Sequence, residues 1–96
     1  MFSKLKQYKD MAKQAKEMQG KLSQETATIQ SHGVNIVIDG NQEILACEID
    51  ANLVVPEKKA ELEKAVREAA NDAIKKSQRL MADSMKKAVL GLPGMS

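Results

Sequence analysis

The stretch Val34-Asn35-Ile36-Val37-Ile38-Asp39-Gly40, followed after two residues by Glu43-Ile44-Leu45-Ala46-Cys47-Glu48-Ile49-Asp50, decides the fold. Val34, Ile36 and Ile38 alternate with Asn35 and Val37, and β-branched residues of this kind suit a pleated, half-buried surface. Asp39-Gly40 offers residues tolerant of positive φ, a strong short-range hairpin signal. The returning strand is Glu43–Ile49, with Leu45, Cys47 and Ile49 on one face. A weaker strand, Ala27–Ser31, precedes the pair, with His32-Gly33 as its turn. Residues 27–50 thus read as a small antiparallel sheet, which is not stable until something covers its apolar face.

The cover comes from either side of the sheet in sequence. Over 3–25, Tyr8, Met11, Ala15, Met18 and Leu22 recur at 3-4-3-4 spacing, the apolar stripe of a helix. Gly20 inside it costs up to ~1 kcal/mol relative to Ala, and marks either a bend or a close approach by another helix. After the connection Asp50–Val55, Pro56 suits a first helical position, and Glu57 and Glu61 complement the helix dipole. Leu62, Val66, Ala69, Ala73, Ser77, Leu80 and Ser84 then recur at 3–4 spacing, which predicts a helix over 56–90. Gly91-Leu92-Pro93-Gly94 terminates it, and 91–96 reads as a flexible tail. At ~1.5 Å per residue the second helix spans about 52 Å. A compact domain of this size has a radius of gyration near ~12–13 Å, so the helix must overhang any core. The expectation is one elongated α+β domain: helix, three-stranded antiparallel sheet, long helix.

Composition narrows the class. The chain has 96 residues with one Phe, one Tyr and no Trp, so its own core is modest. It must use long helices packed with Ala, Leu and Met, or a second chain. The single Cys47 excludes an intrachain disulfide and is expected to be a small buried hydrophobe on its strand face. No apolar run approaches the roughly 18 residues needed to span a bilayer. Lysines interrupt the N-terminus where a secretory signal would be apolar, and a cytoplasmic protein is expected.

The formal charge of +2 conceals a segregation. Residues 4–21 carry six lysines against Asp10 and Glu17, a net +4. Residues 22–74 hold four basic and ten acidic side chains, a net −6, and residues 75–96 return to +4 with five basic side chains against Asp83. Lys6, Lys9, Lys13 and Lys16 follow 3-4-3 spacing and fall almost opposite the apolar stripe of the first helix. Lys75, Lys76, Arg79, Lys86 and Lys87 form the second set. A charge run alone is usually a solvated face. Antiparallel helices would bring both sets to one end of the molecule, a concentrated basic pole that suits a polyanion.

The residues in this helix–sheet–helix order resemble the YbaB/EbfC family of bacterial nucleoid-associated proteins. Met11-Ala12-Lys13-Gln14-Ala15-Lys16-Glu17-Met18-Gln19 is similar to that family's Met/Lys/Gln-rich opening. Val34–Gly40 resembles its central strand and turn, and Glu43–Asp50 its third strand. Leu62 through Ala69-Ala70-Asn71-Asp72-Ala73 looks like its second-helix signature, and Gly91-Leu92-Pro93-Gly94 its ending. The Gly-rich loop common before the central strand is reduced here to Ser31-His32-Gly33, and Gly20 is a further departure. The resemblance implies a homodimer with a shared central sheet and helices projecting like the arms of tweezers. It also implies DNA binding with little sequence preference, in the nucleoid. It supplies no DNA-binding motif, so site residues rest on the charge map.

That map favours phosphate binding. Lys and Arg neutralise phosphates and release condensed counterions without reading bases. Thirteen lysines against two arginines argue mildly against bidentate reading of guanine, which favours Arg. The scarcity of aromatics argues against single-strand binding by stacking. Duplex DNA is therefore the expected partner, together with a second copy of the chain. Reversing charge in either set is expected to weaken binding to unrelated duplexes about equally. No cofactor, metal or small-molecule substrate is expected. His32 is the only histidine and lacks companions at ligand spacing. The acidic residues show no pairing for acid–base catalysis, and neither a phosphate-binding Gly-Lys-Ser/Thr loop nor a nucleophile elbow occurs. Met11, Met18, Met81 and Met85 read as packing. The main rival is a prefoldin-like or adaptor module without DNA binding, in which Phe2, Leu5, Met85 and Leu90 near the helix tips grasp a client. A membrane-surface role ranks third, because the apolar face of the first helix lacks the Trp and Phe of interfacial helices.

Overall fold

A computed structural model describes residues 2–90, with side chains from Lys4 onward. Its elements are α1 (Phe2–Gln24), β1 (Thr26–Ser31), β2 (Val34–Asp39), β3 (Ile44–Ile49) and α2 (Lys59–Leu90), with short 3-10 turns at Ala51–Leu53 and Pro56–Lys58 before α2. The three strands form one antiparallel sheet in the order β1-β2-β3. Pro56 therefore opens a 3-10 turn ahead of the long helix. The tail 91–96 lies outside the described residues.

Strand β2 is central, and Val34, Ile36 and Ile38 are at most 3% exposed. They pack beneath Ala65, Ala69 and Ala73 of α2, with Leu53 closing one end. Small residues at i, i+4 and i+8 let the helix lie close over the strand, so the core is thin but tightly filled. The β1–β2 turn is His32-Gly33, both residues with positive φ (49° and 89°), as a two-residue hairpin turn requires.

The β2–β3 turn departs from expectation. Positive φ falls on Gln42 (63°), not on Gly40. Glycine is needed at 40 for space: a Cβ there would lie 2.7 Å from Leu22 Cδ2 and 3.1 Å from the Leu22 carbonyl oxygen. Asp39 closes the turn, its Oδ1 accepting from the N–H groups of Asn41 (2.9 Å) and Glu43 (3.0 Å). The same loop holds the end of α1. Gly40 N–H donates to the Leu22 and Glu25 carbonyls at 2.9 and 3.0 Å, and Asn41 Nδ2 donates to the Gln19 carbonyl at 2.9 Å. Carbonyls of the last turn of a helix lack intrahelical partners; the loop supplies one to Leu22 and also grips the chain at Gln19 and Glu25. Gly20 meets nothing within 4 Å, which removes the close approach, and α1 runs through it.

Beyond the sheet the two helices leave the body together. Leu22 is buried against Gly40, and Met18 and Lys21 lie beside Ser84, Lys87 and Ala88. The later turns of α1 thus run alongside the last turns of α2, antiparallel to them. The radius of gyration is 18.9 Å and the extents are 65 × 29 × 17 Å, well beyond the ~12–13 Å of a compact domain. The overhang expected from helix length is present.

Strand β3 is exposed along its whole length. Its pairing sets Ile49 opposite Val34 and Cys47 opposite Ile36, and a register shift between Val37 and Ile38 leaves Leu45 as the extra residue of a bulge. Directly paired residues share a face, so Cys47 and Ile49 lie on the core side of the sheet where α2 does not reach. Cys47 is exposed, contrary to the expected burial, because α2 covers only β1 and β2.

Candidate nucleic-acid interface

Between Lys4 and Gln19 of α1 only Met18 is even half-buried. The helix meets the rest of the chain through the stripe that ends in Met18 and Leu22. Met11, Gln14, Ala15, Met18, Gln19 and Leu22 line one side of a cleft of 470 Å³, with Met81 and Met85 of α2 opposite. Packing is the expectation for the methionines, yet Met11 and Met85 are 65% and 54% exposed. The helices diverge from their anchor at Gly40, too far apart for these side chains to interlock.

Lys6, Lys9, Lys13 and Lys16 occupy a sector of about 80° centred almost opposite the cleft-lining residues. All four are exposed. The first turn of α1 carries no acidic residue, so Lys6, the nearest of the four to that end, has no acidic partner there against the helix dipole.

The second set divides. Lys86 and Lys87 lie on the overhanging part of α2, and Lys87 borders a second, smaller cleft with Lys21 and Glu25. Lys75, Lys76 and Arg79 lie lower, over the body, where with Asp72 they border the free edge of β1 at Thr28, Ile29 and Gln30. Lys75, Arg79 and Lys86 fall within about 40° of one another on α2, on the side away from α1. The two sets therefore converge on one half of the molecule but face outward in opposite directions, not into one concave pole. Among the described residues the ion pairs are His32–Glu68 and Lys59–Glu63, so none of the nine candidate cations is neutralised there.

Sequence reasoning missed Thr28 and Gln30 beside the Lys75–Arg79 set. Only tertiary packing brings strand and helix together, and no local pattern signals it. His32 sits in the β1–β2 turn with Nε2 3.1 Å from the Glu68 carboxylate. Among the described residues no group of three or more His, Cys, Asp or Glu side chains could hold a metal ion, and no helix is long and apolar enough to cross a membrane.

The fold and sequence have known counterparts. A crystal structure of an uncharacterized protein from Helicobacter pylori superposes with a TM-score of 0.74, covering 95% of this chain and 98% of that one at 24% identity, which supports the fold. A protein named nucleoid-associated protein from Syntrophobacter fumaroxidans is 33% identical, over 98% of this chain and 89% of its own length. Another of that name from Clostridium kluyveri is 34% identical, over 95% of this chain and 83% of its own. The model of the YbaB/EbfC DNA-binding family matches residues 1–92. With that match over nearly the whole length, the chain belongs to the YbaB/EbfC DNA-binding family.

Proposed function

We propose that this chain is a nucleoid-associated protein of the bacterial cytoplasm. In this reading it acts as a homodimer and binds duplex DNA with little sequence preference, through phosphate contacts from the two lysine-rich helical faces. One observation carries the reading: nine exposed cations on the outward faces of the two helices, six on the overhanging part and three over the body, none in an ion pair among the described residues. Such faces neutralise phosphates and release counterions, which gives affinity without base readout.

The dimer rests on a second surface. Ile44, Leu45 and Ile49 of β3 are 40–50% exposed, and Val66 and Ile74 of α2 are 37% and 41% exposed. Glu61, Lys64 and Glu68 of α2 lie beside His32, and Asp72, Lys75 and Arg79 lie beside β1. Val66, Ala70 and Ile74 fall on the opposite flank, toward β3. An apolar sheet face and an apolar helix flank meeting beside an open edge strand form a surface that soluble proteins cover. A second copy offers the same surface and can close it about a two-fold axis.

A salt titration of binding to two unrelated duplexes tests the function. Reversing Lys6, Lys9, Lys13 and Lys16, or Lys75, Lys76, Arg79, Lys86 and Lys87, should weaken binding to both duplexes by the same factor. Reversing both sets should remove the salt-dependent binding, and unchanged affinity in that variant would defeat the assignment. The Met-lined cleft favours the client-binding alternative, since Leu5 and Leu90 near the arm tip are also exposed (65% and 63%). In that case polar substitution at Met11 and Met85 would weaken binding, and salt would not.

A further inference from the structure

We propose that the groove between the free edge of β1 and α2 is a phosphate-binding site, which fixes a DNA strand by neutral donors as well as by charge. The proposal deepens the DNA-binding reading and rests on it. The groove has a volume of 300 Å³ and is lined by Thr28, Ile29 and Gln30 on the strand and Asp72, Lys75, Lys76 and Arg79 on the helix.

Three features distinguish it from the open lysine ridge of α1. Two secondary elements wall it, so its cations are held on a packed part of α2, next to the buried Ala73 and Ser77. The strand side offers no counter-charge, since Thr28, Ile29 and Gln30 are all uncharged. Strand β1 has β2 on one side only, and its register turns the backbone N–H groups of Thr28 and Gln30 outward to the groove edge. Oxygens of a phosphodiester accept hydrogen bonds from both the cations and the backbone N–H groups, and contacts of this type fix register on a duplex. Asp72 is the one opposing charge, and it forms no ion pair with Lys75, Lys76 or Arg79 among the described residues. Three cations against one carboxylate leave a net +2 in a confined space.

Neutral donors and cations separate experimentally, because the slope of log affinity against log salt counts the phosphates neutralised by cations. With a random duplex as the probe, Thr28→Pro and Gln30→Pro should each weaken binding about 2- to 10-fold, the range of one net hydrogen bond, and leave the slope unchanged. Proline removes an outward N–H without touching the ladder to β2, which an edge strand tolerates, and an unchanged circular dichroism spectrum checks the fold. Substituting Lys75, Lys76 and Arg79 together by Gln should lower the slope. Asp72→Asn should tighten binding severalfold at low salt and lose that advantage at high salt. Wild-type affinity in both strand variants, or no gain in Asp72→Asn, overturns the groove while leaving DNA binding by the ridges intact. Absence of duplex binding in the wild type itself would overturn both readings. Displacement of the duplex by poly-glutamate at equal charge concentration, relieved by the strand variants, would assign the groove to an acidic protein segment and overturn the phosphate site.

Discussion

The Ser77 hydroxyl donates to the Asp39 carbonyl at 2.6 Å and accepts from the Gln42 backbone N–H at 3.0 Å. Ser77 and Asp39 are at most 1% exposed, so one side chain of α2 fixes both ends of the turn that also anchors α1. The angle between the overhanging helices is set at this point. Ser77→Ala removes a buried donor and acceptor together, and should cost about 1–3 kcal/mol in chemical denaturation. Faster amide exchange over the last turns of α1 should accompany it. A smaller cost with unchanged exchange would mean the loop holds α1 without Ser77.

Two glycines should respond with opposite signs. Gly20 faces open space in a helix interior, so Gly20→Ala should stabilise by up to ~1 kcal/mol. Gly40→Ala places a methyl group 3.1 Å from a backbone carbonyl that must also keep its hydrogen bond to Gly40 N–H. Overpacking of this kind costs about 1–3 kcal/mol. Thermal melts of the two variants should move in opposite directions, and a common direction would contradict the packing at Leu22.

The fold was legible because each element carries its own period. The alternation at Val34, Ile36 and Ile38 and the 3–4 spacing of Ala69, Ala73 and Ser77 each mark one buried face. Local reading failed where the neighbour decides the outcome. Cys47 shares the alternation of a buried strand face, yet α2 stops at β2 and leaves it exposed. Asp39-Gly40 signals a turn correctly, but the glycine serves its packing against Leu22 and Gln42 takes the positive φ. The lysine phasing on α1 is readable from the sequence. The division of the second basic set is not, because it depends on how far α2 extends past β1.

The uncovered surface of β3 leads to a third expectation. Leu45→Lys and Ile74→Glu place charges on residues 50% and 41% exposed in the single chain, so the protomer should keep its circular dichroism spectrum. Light scattering should show the unaltered chain as the proposed dimer and these variants as monomers. Cys47 offers an internal reporter on the same strand face. Its thiol should react slowly with an aromatic disulfide reagent in the dimer and quickly in either variant. A dimer that survives both substitutions with a fast-reacting Cys47 would place the interface elsewhere.

The α1 ridge should contribute to binding and not to folding. Lys6, Lys9, Lys13 and Lys16 are exposed, and the helix is held to the body through Leu22 and the carbonyls of Gln19 and Leu22. Replacing the four lysines by Gln keeps a good helix former at each position. Surface substitutions away from packed features usually change stability by less than about 0.5 kcal/mol, so the melting temperature should stay nearly constant. Duplex affinity at low salt should fall, and the salt slope should drop by about 0.9 for each phosphate that is no longer neutralised. A variant that melts early and binds weakly would point to damaged structure. One that melts normally and binds with an unchanged slope would remove α1 from the interface and leave α2 to carry the phosphate binding.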